Sequence, residues 1–187
     1  MRVFDFDNTI YDGESVLDFY LFSIRYHPGV LKYLFVVLFH FLRYKLGKTT
    51  MEELERGIKT YAAGCVRSFS DLDAIVSAFW DKHMRKLKPW YHPQSDDVIL
   101  TASFNVIIDE ACRRLGISRC ICSVVNRQTM ELERLNFSHN KRKIFEETFG
   151  AQGAVDEFYT DNLFDRPMIE IAKKAYIVKG NKVKRIK

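Results

Sequence analysis

The sequence has few of the residues that mark several classes of protein. Its 187 residues include only 4 cysteines, 4 prolines and 9 glycines. So few cysteines exclude a disulfide scaffold, and so little proline and glycine excludes collagen and low-complexity chains. No Gly-x-Gly-x-x-Gly follows a predicted strand, which sets aside a dinucleotide-binding enzyme. With 47% apolar residues, the chain instead predicts a folded domain with a sizeable core.

The cysteines, at positions 65, 112, 120 and 122, follow no signal peptide and predict reduced thiols in a cytoplasmic protein. Cys120 and Cys122 alternate within a predicted strand, so they share one of its faces. A metal knuckle built on this pair needs a second pair of ligands, and the sequence shows none. We therefore expect these thiols to be small buried side chains.

Positive charge is concentrated in two segments. The formal net charge is +5, yet residues 173–187 alone hold seven basic side chains and no acid. Without them, residues 1–172 carry 22 basic and 24 acidic groups, a charge of −2. A second segment, from Phe19 to Met51, holds five basic residues and no acid. Basicity of this regional kind predicts no nucleic-acid partner and favours, weakly, an anionic membrane surface.

Hydrophobic patterning predicts an α/β fold with a helical insertion. An apolar strand opens the chain at residues 2–7, and strands alternate with helices after residue 98. Residues 14–88 between them have helical periodicity and end at a connection rich in proline and aromatic residues. We predict a three-layer, Rossmann-like parallel sheet core (residues 1–13 and 89–187) with an inserted all-helical cap domain (residues 14–88).

Polar residues follow the predicted strands at the points where ligands bind in open α/β sheets. They fall in four segments: 5–9, 100–103, 140–143 and 159–165. Carboxylates in this number suit Mg²⁺, which keeps several waters and binds substrate phosphate. A lysine and a strand-end hydroxyl would hold the remaining phosphate oxygens. One carboxylate can then act as a nucleophile and a second can handle protons.

This ordered set resembles the four motifs of the haloacid dehalogenase superfamily of phosphohydrolases. Asp5, Asp7 and Thr9 match the first motif, Asp-x-Asp-x-Thr. The resemblance implies that Asp5 attacks phosphorus and forms an aspartyl-phosphate. It also implies that Asp7 protonates the leaving group and then activates water, with Thr9 assigned to phosphate binding.

The second and third motifs have matches of their own. Thr101 ends an apolar strand as the second motif requires, and Ala102 and Ser103 would offer backbone amides to phosphate. The third motif is a lysine that opens a helix. Lys141 fits because apolar residues follow three and four positions later, and Lys143 is the alternative. The residues alone leave two alternatives, in which Thr101 is a satisfied strand-end hydroxyl and Lys141 is part of a solvated basic face.

Asp161 and Asp165 match the fourth motif, Asp-x-x-x-Asp after an aromatic strand. By resemblance, Asp161 binds Mg²⁺ together with Asp5 and the main-chain carbonyl of Asp7. Asp165 would orient these ligands or bind the ion through water. The residues alone leave one alternative, in which Asp165 only caps the helix predicted from residue 167.

The predicted cap lies between the first two motifs, a layout that phosphoserine phosphatases and lipid-phosphate phosphatases share. Caps close over the phosphate and select the leaving group. Glu14 stands where phosphoserine phosphatases place a substrate-reading glutamate, although it could equally interact with a helix dipole. The resemblance thus implies a Mg²⁺-dependent phosphatase for a phosphate monoester.

Residues 30–46 predict an apolar helix, with thirteen apolar residues of seventeen. It is too short and too charged to span a bilayer, so it is either buried in the cap or lies peripherally on an anionic membrane. Similar caps occur in bacterial phosphatidylglycerophosphate phosphatases. Our first substrate hypothesis is therefore a phospholipid head-group phosphate, hydrolysed in the cytoplasm or at the inner membrane face. A soluble phosphoserine-like metabolite is the alternative, and a non-catalytic membrane- or protein-binding module is the hypothesis from another class.

Overall fold

The structure, a computed structural model, describes residues 1–32, 39, 43, 53, 67–137, 139–150 and 153–187. Its strands are β1 (Arg2–Phe4), β2 (Val98–Phe104), β3 (Arg119–Val125), β4 (Leu132–Arg134), β5 (Glu157–Thr160), β6 (Lys174–Lys179) and β7 (Lys182–Arg185). The α-helices in these ranges include α1 (Ser15–Ser23), α2 (Leu72–His83), α3 (Asn105–Leu115), α4 (His139–Phe149) and α5 (Arg166–Ile171).

The strands form one sheet in the order β4-β3-β2-β1-β5-β6-β7. The five inner strands run parallel, and β4 and β7 pair antiparallel at the two edges. The first strand of the chain therefore lies at the centre, between β2 and β5. Because these three strands are parallel neighbours, the polar residues that follow them meet at the same edge of the sheet.

The two faces of the sheet bury different apolar clusters. Alternation along the strands sends Phe4 and Ile99 to the face covered by α1, α2 and α3. It sends Val3 and Val98 to the opposite face, covered by α4 and α5. Helices on both sides of a mostly parallel sheet confirm the predicted three-layer α/β class.

Two helix ends follow directly from the sequence. The side chain of Asp71 precedes α2 and accepts a hydrogen bond of 3.0 Å from the backbone N–H of Ala74. At the end of α3, Gly116 adopts a left-handed conformation with φ 70°, and its N–H bonds the carbonyls of Cys112 and Arg113. Both ends lie where the capping residues predict them.

The helices α1 and α2, which belong to the predicted cap, pack on the same apolar cluster as β1, β2 and α3. Trp80 of α2 is fully buried, and its indole N–H donates to the carbonyl of Ile107 at 2.8 Å. Most of the apolar helix predicted over residues 30–46 lies outside the described residues. The cap boundaries at residues 14 and 88 stay predictions. No helix in the described part of the chain has the length and apolar character needed to cross a bilayer.

The basic C-terminal segment forms an antiparallel hairpin of β6 and β7 at one edge of the sheet. All four residues of β7 are exposed. Lysine-rich edge strands of this kind discourage pairing with other chains. Much of the positive charge in residues 173–187 thus lies on a solvated edge.

Candidate active site

A cavity of about 140 Å³ lies beside the residues that follow β1 and β5 and beside the C-terminal half of β2. Strand β2 continues to Phe104, so Thr101 lies within it and does not end it as the sequence predicts. The walls of the cavity combine acidic, amide, apolar and lysine side chains: Asp5, Asp7, Glu14, Thr101, Ala102, Phe137, Lys141, Asp161, Asn162 and Asp165. All the site residues predicted from the sequence line it, except Thr9 and Ser103. The four segments that carry the predicted motifs therefore meet at one place in the fold.

A buried lysine joins two buried carboxylates in this cavity. Lys141 Nζ donates to Asp5 Oδ1 and to Asp165 Oδ2, each at 2.9 Å. The Thr160 hydroxyl also donates to Asp165 Oδ2 at 2.9 Å. Asp5 is held from its backbone as well, because its N–H bonds the carbonyl of Tyr159 at 2.9 Å. Tyr159 lies on β5, so the neighbouring strand fixes the position of Asp5.

Burial and neighbouring charges shift the pKa values of Asp5 and Lys141. The pKa of Asp5 is raised to about 7, mainly by burial, while the nearby Lys141 acts to lower this pKa and the charge of Asp165 acts to raise it. Burial also acts to lower the pKa of Lys141, but the Asp5 and Asp165 carboxylates outweigh it and the pKa is raised. Lys141 is therefore a fixed cation, whereas Asp5 can change its charge near neutral pH.

The geometry separates the two candidate lysines. Lys141, in the first turn of α4, is 4% exposed and contacts both carboxylates. The side chain of Lys143 is 75% exposed and lies 3.9 Å from Glu147 on the same helix. Of these two, only Lys141 lines the cavity.

Two serines hold the half-buried Asp7. The backbone N–H of Ser15, the first residue of α1, donates to Asp7 Oδ1 at 2.7 Å, and the Ser103 hydroxyl donates to Asp7 Oδ2. The two serine hydroxyls lie 3.0 Å apart. Burial raises the pKa of Asp7, and the hydrogen bonds from Ser103 and Ser15 lower it in part. Ser15 is not predicted from the sequence, because it has no sequence signal beyond its place at a helix start.

The turn after Asp7 is held by two side-chain contacts. Asn8 has a φ of 54°, and its side-chain amide donates to Glu14 Oε1 at 2.6 Å. The buried Lys88 donates to the main-chain carbonyl of Asn8, a contact that no sequence pattern indicates. Burial and the charge of Asp7 raise the pKa of Glu14. Glu14 occupies the N-cap position of α1 but makes no capping hydrogen bond with its side chain.

Thr9 lies away from the cavity. The N–H groups of Thr9, Ile10 and Tyr11 all bond the carbonyl of Phe6, so the chain coils back on itself immediately after the first motif. Thr9 is fully buried, and its hydroxyl has no hydrogen-bond partner among the residues that the structure describes. Thr9 is not among the residues that line the cavity, and its assignment to phosphate binding stays a prediction.

Hydrogen bonds hold the backbone of the second motif. Asn136 Nδ2 donates to the Thr101 carbonyl at 2.8 Å, and the Ser123 hydroxyl donates to the Ala102 carbonyl at 2.7 Å. The Ser103 N–H donates to Thr101 Oγ1 at 3.1 Å. In this structure, then, Ser103 gives its amide to Thr101 and its hydroxyl to Asp7, while Thr101 and Ala102 line the cavity.

The segment after β5 forms the remaining part of the cavity wall. Lys179 Nζ donates to the main-chain carbonyl of Asp161 at 2.6 Å, and burial raises the pKa of the Asp161 carboxyl. Asp165 precedes α5 but makes no capping hydrogen bond with its side chain, so it does not serve as the cap that the residues alone left open. Asn162 and Phe137 also line the cavity and are not predicted from the sequence. The position of Asn162 beside Asp161 was an available signal, whereas nothing in the sequence marks Phe137.

The donor set of the cavity is chemically suited to Mg²⁺. Asp5 and Asp161 offer carboxylate oxygens from adjacent strands, and Lys141 engages only one oxygen of Asp5. Ligand atoms of three Asp, Glu, Cys or His residues all within 4.8 Å of one another occur, in the described part of the chain, only at Asp109, Cys120 and Cys122. No three aspartates of the cavity, among the described residues, have carboxylate oxygens that all lie within this distance. Such spacing fits an ion held by one or two carboxylates, with water and phosphate as its other ligands.

Comparison with known proteins identifies the class. The sequence model of the haloacid dehalogenase-like hydrolases matches residues 3–170, and the chain therefore belongs to this family. The resemblance drawn from the four motifs is confirmed at the level of the family and of hydrolase chemistry. No curated protein matches the sequence closely enough to count as a relative.

Solved structures share the fold at low sequence identity. A protein with unknown function from Bordetella pertussis Tohama I is 18% identical, with a TM-score of 0.70 over 94% of this chain and 87% of that one. A HAD family hydrolase from Salmonella enterica serovar Typhi is 14% identical, with a TM-score of 0.54 over 91% of this chain and 59% of that one. A probable phosphoserine phosphatase from Vibrio cholerae, unliganded, is 13% identical, with a TM-score of 0.53 over 92% and 54%. This chain thus spans less than two thirds of the last two.

Proposed function

We propose that the protein is a Mg²⁺-dependent phosphatase that hydrolyses a phosphate monoester through an aspartyl-phosphate on Asp5. One observation carries the proposal: Asp5, Lys141 and Asp165 form a buried, hydrogen-bonded group in the wall of the cavity that Asp7 also lines. A nucleophile, a fixed cation and a proton carrier therefore share one small space. This is the set that phosphoryl transfer requires.

In the first step, an Asp5 carboxylate oxygen attacks phosphorus, and the bond from phosphorus to the ester oxygen breaks. Asp7 gives its proton to the departing alkoxide. The raised pKa of Asp7 keeps a proton available for this transfer. Lys141 and the Thr101 hydroxyl stabilise the charge that builds on the phosphoryl oxygens.

In the second step, Asp7, now a carboxylate, takes a proton from water as the water attacks phosphorus. The bond between phosphorus and Asp5 breaks, which releases inorganic phosphate and restores both aspartates. The N–H of Ser15 and the hydroxyl of Ser103 keep Asp7 in place throughout. Asp7 therefore alternates between acid and base without moving.

Asp5 and Asp161, with the main-chain carbonyl of Asp7, would hold Mg²⁺, and Asp165 would orient this group. When bound, Mg²⁺ neutralises phosphate charge and favours the ionised form of Asp5. This matters because Asp5 has a pKa near 7 and must be a carboxylate to attack. Lys141 alone cannot neutralise Asp5, Asp165 and an entering phosphate together.

The residues that line the cavity indicate which part of the substrate binds in it. The phosphoryl group would lie in the cavity of about 140 Å³, where Glu14 and Phe137 in the wall are candidate contacts for the leaving group. The proposed cap, residues 14–88, would cover it. A phospholipid head group and a soluble metabolite both satisfy this geometry, and a substrate panel distinguishes them.

The test is hydrolysis by the full chain after removal of metal with EDTA. The panel contains p-nitrophenyl phosphate, phosphoserine, sugar phosphates and phosphatidylglycerophosphate in anionic vesicles. We expect turnover that requires added Mg²⁺ and is not restored by Ca²⁺, whose larger coordination shell suits this site poorly. Absence of Mg²⁺-dependent phosphate release from every compound would reject the proposal.

A further inference from the structure

Three of the four cysteines meet between β3 and α3. The Cys120 thiol lies beside the thiols of Cys112, from α3, and Cys122, two residues along β3. Cys112 and Cys122 are buried, Cys120 is half-buried, and all three are free thiols. The prediction of buried thiols is thus largely confirmed. The fold, however, also brings them together with a carboxylate.

The helix supplies the second ligand pair that the sequence does not show for Cys120 and Cys122. Asp109 and Cys112 are three residues apart on α3, which places them on the same side of the helix. A carboxylate oxygen of Asp109 and the sulfur atoms of Cys120 and Cys122 all lie within 4.8 Å of one another. The carboxylate of Asp109 therefore forms a three-residue group with the two strand thiols, and the Cys112 thiol lies beside Cys120.

We propose that Asp109, Cys120 and Cys122 form a second metal site, for a thiophilic ion such as Zn²⁺, with Cys112 as the adjacent fourth donor. Sulfur, sulfur and carboxylate oxygen are ligand types that Zn²⁺ accepts in tetrahedral sites. Mg²⁺ prefers oxygen alone, so the two sites of the protein select different ions. An ion here would tie α3 to β3.

The surroundings leave the site accessible. The side chain of Asp109 is half-exposed and Cys120 is half-buried, so the carboxylate side of the site faces solvent. Arg127 is the cation nearest to Asp109 among the ion pairs of the described residues, but it binds Asp73 at 2.7 Å and lies 4.0 Å from Asp109. The Asp109 carboxylate is therefore not neutralised by a short ion pair. It can serve as a ligand without breaking one.

Cobalt(II) spectroscopy tests the site directly. The reduced, metal-free full chain is titrated with Co²⁺ in excess Mg²⁺, which occupies oxygen-lined sites. We expect thiolate-to-cobalt charge-transfer absorption that saturates at one equivalent, and its loss in Cys120→Ser and Cys122→Ser. Cys65→Ser is the matched control and keeps the signal. Absence of the absorption in the unmodified protein, or its persistence at full strength in the Cys120→Ser, Cys122→Ser double variant, would overturn the proposal.

Two measurements on the unmodified protein keep the proposal testable if these variants do not fold. Saturating Zn²⁺ should slow iodoacetamide labelling of Cys120 at least tenfold, as mapped by peptide mass, and leave Cys65 unchanged. It should also raise the thermal midpoint by about 5–10 °C at a hundredfold excess over the dissociation constant. Equal labelling rates with and without Zn²⁺ would refute the site. Neither readout depends on phosphatase activity, so the two proposals fail independently.

Discussion

The amine of Lys141 lies 2.9 Å from Oδ1 of Asp5, with both groups buried. The same amine lies 2.9 Å from Asp165, so one cation serves two carboxylates that are 160 residues apart along the chain. Asp5 follows the central strand, Lys141 opens α4 and Asp165 precedes α5. The contact can form only when all three elements are in place, which makes the nucleophile dependent on the complete fold.

Replacing Lys141 by methionine should abolish most activity and weaken the fold. The substitution keeps the length of the side chain but leaves the Asp5 and Asp165 carboxylates without their shared cation. We expect kcat to fall at least about a hundredfold, and the free energy of unfolding to fall by roughly 3 kcal/mol. Steady-state kinetics and urea unfolding measure the two effects.

Lys143→Met is the matched control, because Lys143 lies two residues away on the same helix with its side chain 75% exposed. It should retain the kcat and the unfolding free energy of the unmodified protein. A comparable loss of activity in both variants would mean that Lys141 acts through the general charge of α4 and not through its contacts.

Ser103→Ala should change the pH dependence of the reaction. The Ser103 hydroxyl bonds Asp7 and lowers the pKa of that carboxyl, so its removal raises the pKa. The first step needs Asp7 protonated, and the alkaline limb of the kcat profile should therefore move to higher pH. We also expect a roughly tenfold lower kcat from the lost hydrogen bond. An alkaline limb that stays in place would show that Asp7 is not the acid.

The stability of the metal-free protein should depend on pH through Asp5. Burial raises the pKa of Asp5 from 3.8 to about 7, so the folded chain holds this proton more tightly than the unfolded chain. Between these two values the folded state binds more protons, and the free energy of unfolding falls as the pH rises. Asp5→Asn removes this contribution. Urea unfolding in EDTA between about pH 4 and 7 should give a shallower decline for the variant, and equal slopes would contradict the account.

The sequence predicts the site residues that stand directly after a strand. Asp5 and Asp161 each follow an apolar strand, and the order of strands in an α/β sheet brings such ends together. The end of α3 at Gly116 was predictable from the local sequence, because glycine readily adopts the left-handed conformation that ends a helix. Strand β4 was not, since three residues in a charged stretch form a strand only by pairing with β3.

Contacts between segments that are far apart in the chain could not be predicted from the sequence. The bond from Ser103 to Asp7 joins residues 96 positions apart, and no local pattern reports it. Thr9 matches the first motif, yet it is buried in the turn whose N–H groups bond the Phe6 carbonyl. The approach of Asp109 to Cys120 depends in the same way on how α3 packs against β3. In each case tertiary packing, and not local preference, decides the position.

The most direct test of the central claim is the rate of Mg²⁺-dependent p-nitrophenyl phosphate hydrolysis by Asp5→Asn. Asp12→Asn is the matched control, because Asp12 is exposed, lies in the same segment and does not line the cavity. The account predicts that Asp5→Asn stays folded and loses activity by more than about a thousandfold, while Asp12→Asn keeps it. An Asp5→Asn protein with a rate near that of the unmodified chain would contradict Asp5 as the nucleophile.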